Sequence, residues 1–476
     1  MRIVLLSGGA GKRLWPMSND SRSKQFLKVL RSHEGTPVSM LQRVWSQLKQ
    51  AGLNRQAHIC AAKAQYEMIE QQLGAVAIIE EPSRRDTFPA IALAAAYLKD
   101  IEACGDDEVM VVMPVDPFVD EGFFTILTRL PAVLEQSRAD IALMGVCPTE
   151  PTSKFGYIQT ESVRIEPIVE AKSATTDWPC TANRVEDSWV PVRAFIEKPV
   201  HSLATQLIST GALWNCGVFA FRVGYLIDEL QRLGHPTDYE TLRQSYDTLP
   251  NRSFDYEVVE RAGNIVAIPY AGTWCDLGTW GSLSKQMTES FVGRGVAVNC
   301  DNTHAVNELG IPLVAMGLRN VMVVSTPDGI LVADKELAAN IKDVTQSFSG
   351  HPMVEERHWG SSRVLDYQKL VDDSEVLTKC IDILPGRHIS YQRHRRRTEV
   401  WTVIEGYGQL VLGTRVIEVA PGDVVKIYPD MWHAVLALTG LQIIEVQRGE
   451  ALGEDDIERR FESWEHIVNY CETIPV

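Results

Sequence analysis

The chain has 476 residues, 45% of them hydrophobic and 23% charged, with a formal net charge of −16. That length suits two or three domains with cores of their own, and the composition is that of an ordinary soluble protein. The negative charge argues against a nucleic-acid or anionic-membrane surface, and no apolar run reaches the roughly 18 residues of a membrane-spanning helix. The nine cysteines are scattered with no C-x-x-C. This points to reduced thiols in a cytoplasmic protein rather than a disulfide framework or zinc ribbon.

Residues 2–6 are an apolar run long enough for one buried strand. It breaks into Ser7-Gly8-Gly9-Ala10-Gly11-Lys12-Arg13, a turn whose three glycines can present successive backbone N–H groups to an anion. Arg13 and Lys24 add charge-assisted donors for phosphate oxygens. The stretch is neither a Walker A loop nor a G-x-G-x-x-G dinucleotide loop. Periodicity predicts a helix over 39–50, with Met40, Leu41, Val44, Trp45 and Leu48 on one face, and strands over 57–61 and 75–79. Glu81-Pro82-Ser83-Arg84-Arg85-Asp86 then leads into a helix over 89–98, with Thr87 as its cap and Pro89 near its first position. Further strands are predicted over 109–113, 141–146 and 192–196. Strands alternating with helices imply an α/β sheet covered on both faces. Ligands of such sheets sit at the carboxyl ends of the strands, where the glycine loop lies.

From 291 to 345 short apolar runs broken by Gly, Asn and Asp read as a β-rich connecting segment. From 355 to 465 the chain is mostly β, with strands over 389–394, 400–404, 409–412, 424–428 and 441–446, which suggests a closed barrel or jelly roll. Residues 455–470 read as a helix.

The run G-G-A-G-K-R-L-W-P-M-S followed by K-Q-F-L resembles the signature of sugar-nucleotide pyrophosphorylases, specifically the mannose-1-phosphate guanylyltransferases. Further motifs follow in order through residue 280: E-P-S-R-R-D-T at 81–87, P-V-D ending at Asp116, K-F-G-Y-I at 154–158, F-I-E-K-P at 195–199, W-N-C-G-V-F at 214–219, S-F-D-Y-E at 253–257 and W-C-D-L-G-T-W at 274–280. The resemblance implies a Rossmann-like nucleotidyltransferase domain with a mixed sheet over 1–288, a β-rich connection over 289–350 and a cupin barrel over 351–476. It implies transfer of GMP from GTP to mannose 1-phosphate. Gly8, Gly9, Gly11, Lys12, Arg13, Glu81, Pro82 and Arg85 would hold the nucleotide. Gly156, Tyr157, Glu197, Lys198, Asn215 and Gly217 would hold the sugar phosphate, and Asp255 would support them. Asp116 and Asp276 would ligate Mg²⁺, a hard cation that prefers oxygen. Arg13, Lys24 and Lys198 would neutralise charge during transfer. Ser23, Asp86 and Pro117 stand where the family usually has Pro, Asn and His. A different nucleotide or sugar 1-phosphate, and a non-catalytic sugar-nucleotide-binding subunit, are the competing readings, and a homo-oligomer stays open.

The C-terminal segment resembles the cupin half of type II mannose-6-phosphate isomerases. Gly386, Gln392, His394, Glu399 and Gly406 keep the cupin spacing, and His433 supplies the fourth ligand place. Gln392 and His394, two apart on a strand, face one side. Two His, one Glu and one Gln suit Zn²⁺ or another divalent transition metal. Arg396 and Val400 replace two histidines of the isomerase pattern, so the barrel reads either as an isomerase or as a structural domain. Arg397 is a candidate phosphate or transition-state contact, and the run Arg393 to Arg397 otherwise reads as a solvated basic turn.

Overall fold

The structure is a computed structural model that describes all residues except 10, 20, 33, 162–188, 347, 349–351, 451, 462 and 474–476. Met1–Gly9 with Gln25–Thr288 form one compact unit, and Ala10–Lys24 with Glu289–Val476 form a second.

A nine-stranded mixed sheet carries the first unit. Its order is Ala77–Glu81, Ala57–Ala62, Arg2–Leu6, Val109–Pro114, Leu213–Arg222, Ile141–Val146, Ile265–Tyr270, Val190–Ile196 and Tyr157–Thr160. The first four strands run parallel, so Gly8, Glu81 and the residues after Pro114 leave the sheet at one edge. Side chains alternate between its faces. Ile3, Leu5, Val111 and Met113 pack with helices Met40–Gln50 and Gly122–Ser137. Val4, Met110 and Val112 pack with Thr87–Asp100 and Val223–Arg232. Ser39 opens Met40–Gln50 with a capping box: its hydroxyl accepts from Gln42 N, and Gln42 Oε1 accepts from Ser39 N. Two local expectations shift. The strand expected over 75–79 is Ala77–Glu81, with Glu81 at its end. The cap of the next helix is Asp86, not Thr87. Its carboxylate accepts from Thr87 N at 2.8 Å from a backbone at φ +65°, a region Asp tolerates better than most residues. Pro89 falls at the third helical position, where its missing N–H is still an unneeded donor.

In the second unit, Phe291–Gly293, His304–Asn307 and Val321–Thr326 stack in parallel, and Gly329–Asp334 closes that sheet antiparallel; Gly295–Val298 pairs with Leu313–Met316 beside it. Asn302 donates to Asn320, and Asn320 to Asp334, each at 2.8 Å. Beyond it lie two antiparallel sheets of a cupin barrel. One is ordered Val354–Arg357, Gly360–Lys369, Glu375–Ile383, Leu441–Gly449, Arg397–Glu405, Val424–Ile427. The other is ordered Arg415–Val419, Gly408–Leu412, His433–Ala437, Tyr391–His394, Ile457–Phe461. Ile381, Trp401, Leu410, Val435 and Ile443 fill the space between them. The helix expected over 455–470 is therefore corrected: Ile457–Phe461 is a strand, and only Trp464–Thr473 is α-helical. Tyr391–His394 offers an edge whose backbone groups need partners, and Ile457–Phe461 supplies them.

Candidate functional site

Strand Val109–Pro114 runs into Val115 and Asp116. Pro117–Val119 then pairs antiparallel with Trp274–Asp276, setting Asp276 opposite Pro117. This two-stranded ribbon brings Asp116 and Asp276 to one pocket of about 210 Å³, lined also by Leu6, Thr87, Pro114, Pro117, Lys154, Phe155, Gly156, Glu197, Asn215, Cys216, Gly217, Phe219, Asp255 and Trp274. Phe155 packs edge-on against Trp214 and Trp274, with ring centres 5.0 and 5.2 Å away. Two carboxylates and an apolar wall are the donor set and surface expected for a metal-bound phosphate beside a sugar ring.

Pairing of Tyr157 with Ile196 places Gly156 beside Glu197, and Asn215 N donates to Gly156 O at 2.8 Å. A Cβ at Gly156 would run into the Glu197 carboxylate. Glu197 Oε1 accepts from Lys198 Nζ at 2.6 Å, while its Oε2 is buried with no partner. Asn215 Nδ2 donates to Asp255 Oδ1 at 2.6 Å, and Asn215 Oδ1 accepts from Gly217 N at 3.0 Å. Burial, with Glu197 nearby, pushes Asp255 up to about 6. Burial works against the charge of Lys198, but Glu197 and Asp255 outweigh it and hold the ammonium above its ordinary range. Lys198 itself lies outside the lining. Tyr157 faces the core, fully buried; its hydroxyl donates to Thr152 O and accepts from Thr152 N, both at 3.0 Å.

The residues expected to bind nucleotide divide between the units. In the first, Gly8 lies against Glu81: a Cβ there would come within 3.2 Å of Glu81 Oε1. Burial raises Glu81 to about 7. Gly9 faces open space and Pro82 is exposed. Arg85 Nη1 meets Asp247 at 3.4 Å, with its Nε buried and unpartnered. In the second unit, Gly11 takes φ +68°, and a Cβ there would strike the Lys24 stem; Ser18 Oγ donates to Gly11 O at 2.7 Å. Arg13 is exposed. This segment is tied into its unit by residues the motif did not single out. Arg22 pairs with both oxygens of Glu308 at 2.8 and 2.9 Å and with Glu356 at 2.9 Å. Asn19 Nδ2 donates to Asp328 and to Val354 O, each at 3.1 Å. Nothing in the local sequence marks Arg22 and Asn19, because their partners lie about 300 residues downstream.

Inside the cupin barrel, ligand atoms of His394, Glu399 and His433 all lie within 4.8 Å of one another. His394 Nε2 is 3.2 Å from His433 Nε2 and 3.0 Å from Glu399 Oε1. His433 Nδ1 donates to Met431 O at 3.0 Å, which leaves Nε2 as the lone-pair nitrogen facing the cluster. Burial lowers His433 to about 4 and keeps it neutral. Two converging imidazoles and a carboxylate fit a divalent cation. Gln392 pairs in register with His433 and accepts from Ser390 Oγ at 3.2 Å. Burial works to raise Glu399, but His394, His433 and Arg397 overcome it and hold the carboxylate well below its ordinary range. Arg397 is 4% exposed. Its Nε donates to Glu399 at 2.9 Å and its Nη1 to Gly453 O at 3.2 Å. The expected phosphate contact at Arg397 is therefore corrected: the guanidinium is committed to orienting Glu399. Glu445 and Gln447 complete this network and were not expected. Gln447 Nε2 donates to Glu399 and Glu445, and Trp401 Nε1 donates to both carboxylates.

The nucleotidyl transferase family matches residues 2–290, more than half of the chain. The chain belongs to that family. It is a nucleotidyltransferase enzyme, and its residues 345–463 match the mannose-6-phosphate isomerase C-terminal family. It is 31% identical to the xanthan biosynthesis protein XanB of Xanthomonas campestris pv. campestris, over 96% of this chain and 97% of that one. It is 29% identical to the mannose-1-phosphate guanylyltransferase RfbM of Salmonella typhimurium, over 96% of each chain. A crystal structure described as mannose-1-phosphate geranyltransferase from Thermus thermophilus superposes with a TM-score of 0.58 at 25% identity, covering 72% of this chain and 98% of that one.

Proposed function

We propose that this nucleotidyltransferase is a mannose-1-phosphate guanylyltransferase, which transfers GMP from GTP to α-D-mannose 1-phosphate and releases pyrophosphate. The observation that carries this reading is the first unit's pocket, where Asp116 and Asp276 share walls with Gly156, Glu197, Asn215 and Gly217. An oxygen of the sugar phosphate attacks the α-phosphorus in line; its P–O bond forms as the α–β bridging bond breaks and pyrophosphate leaves. No protein nucleophile is needed, so the side chains position and neutralise. Asp116 and Asp276 would hold Mg²⁺, which supplies charge neutralisation at the phosphates. Lys198 would face the sugar phosphate, and Gly8, Gly9 and Arg85 would serve the triphosphate and ribose. The Glu81 carboxylate offers paired acceptors to the N1–H and N2–H edge of guanine, a donor pair adenine lacks.

On this reading residues 1–288 are the catalytic domain, 289–350 the β-rich connection and 351–476 the cupin. The cupin cluster would hold Zn²⁺ or another divalent transition metal through His394, Glu399 and His433, with Gln392 alongside. That cluster favours a second reading for the barrel, interconversion of fructose 6-phosphate and mannose 6-phosphate. The described cysteines are free thiols, which suits a reducing cytoplasm; Cys180 lies outside the described residues.

The test is pyrophosphate release with Mg²⁺ and GTP, with and without mannose 1-phosphate. Sugar-phosphate-dependent release with GDP-mannose formed is expected. Folded protein that releases none with GTP, ATP or UTP would overturn the proposal in favour of a non-catalytic binding subunit.

A further inference from the structure

Two carboxylates, Glu197 and Asp255, line the sugar pocket, and both favour the charge of the Lys198 ammonium. Lys198 Nζ bonds to Glu197 Oε1 at 2.6 Å. Glu197 Oε2 is left buried and without a donor, a costly condition for a carboxylate unless a ligand supplies one. Asp255 is anchored from two directions. Asn215 Nδ2 donates to its Oδ1 at 2.6 Å, and Asn215 is itself fixed by Gly217 N. The turn carrying Asp255 is pinned where Phe254 N donates to Thr87 Oγ1 at 2.8 Å.

A pocket in which one buried carboxylate oxygen lacks a donor and a second carboxylate stands beside it fits a ligand that brings O–H groups. Resting on the function proposed above, we infer that Asp255 is the second hydroxyl acceptor of the sugar pocket, paired with Glu197, and that Asn215 is the positioning residue that aims it. The ligand class is a hexose 1-phosphate with free ring hydroxyls. Each carboxylate reads a different hydroxyl, because they approach the pocket from separate elements: the end of Val190–Ile196 and the turn Phe254–Glu257. A sugar lacking the hydroxyl that Asp255 reads leaves this carboxylate unmatched, which makes the pair a specificity device as well as a clamp.

The test uses the full chain and the nearly isosteric Asp255→Asn variant, with mannose 1-phosphate and its 2-deoxy, 3-deoxy and 4-deoxy analogues. Expected for the variant is a KM for mannose 1-phosphate raised about tenfold or more, with KM for GTP within about twofold. Wild type discriminates against two of the deoxy analogues, and Asp255→Asn loses the discrimination against one of them. Glu197→Gln loses it at a different hydroxyl, and Asn215→Ala loses it at the Asp255 position. Unaltered discrimination in Asp255→Asn would overturn the inference and leave Asp255 a structural group. Rescue of the variant by added Mg²⁺ would overturn it in favour of a metal role. Calorimetric titration of the same sugar phosphates into both proteins reads the inference without turnover. Binding to wild type that is lost in Asp255→Asn supports it even where the assay of the proposed transfer fails, and equal binding to both refutes it.

Discussion

Replacing Arg22 with methionine tests how the glycine-loop segment is held. The Arg22 side chain is 11% exposed, and its guanidinium is divided between Glu308 and Glu356, themselves 27% and 29% exposed. Removing one member of a fully buried ion pair costs about 3–5 kcal/mol, mainly because the surviving charge stays buried and unpaired. Water reaches both glutamates in part, so about 2–3 kcal/mol is expected here. At about 2–4 °C per kcal/mol for a unit of this size, the melting transition of the second unit falls by roughly 4–12 °C. Scanning calorimetry measures it. In the triple variant R22M/E308Q/E356Q the stranded charges are gone, and most of the loss returns. An Arg22→Met protein that melts within about 1 °C of wild type, or a triple variant no more stable than the single one, would refute the reasoning.

Four further outcomes follow from the same geometry. Asp276→Ala abolishes turnover while the circular dichroism and melting temperature stay those of wild type; near-normal rates would remove Asp276 from the metal site. Gly156→Ala drives a methyl into the Glu197 carboxylate and raises KM for the sugar phosphate about tenfold or more, with KM for GTP unmoved; an unchanged sugar KM would show that the pocket yields. Glu81, raised to about 7 by burial, is ionised above that pH and protonated below it, so KM for GTP climbs as pH falls through 7, up to about tenfold per unit. Glu81→Gln flattens the profile, and an equally steep profile in that variant would assign the titration to another group. Elemental analysis finds about one divalent metal per cupin, lost in His433→Ala; protein that takes up none after loading contradicts the cluster's assignment.

Much of the proposed site was legible because its chemistry is local. Asp276 ends a strand, Asp116, Glu197 and Lys198 follow one within two residues, and Asn215 is the third residue of one, each within a short motif; a strand end is where an α/β sheet exposes side chains to ligand. The cupin cluster was legible in part for a similar reason: His394 and Glu399 follow each other at the fixed cupin spacing. Arg397 was read as a ligand contact because a run of arginines does not show which of them turns inward. Strand alternation turns Arg397 inward with Glu399 and Trp401, and leaves Arg395 and Arg396 exposed. Residues 455–470 were misread because a short segment does not encode whether a neighbouring strand lacks a partner.

By itself the sequence determined most of the succession of elements and nominated the charged groups of the proposed chemistry, since periodicity, capping and motif spacing act over a few residues. Only the tertiary structure decided which groups meet. It paired Asp276 with Pro117, the neighbour of Asp116, from far along the chain, gave Asn215 to Asp255, left Glu197 Oε2 without a donor, turned Arg397 into a support for Glu399 and attached Arg22 to Glu308 and Glu356. Those contacts depend on sheet register and on burial. Both are properties of the packed chain, where an unpaired charge or hydrogen-bonding group is costly enough to dictate its partner.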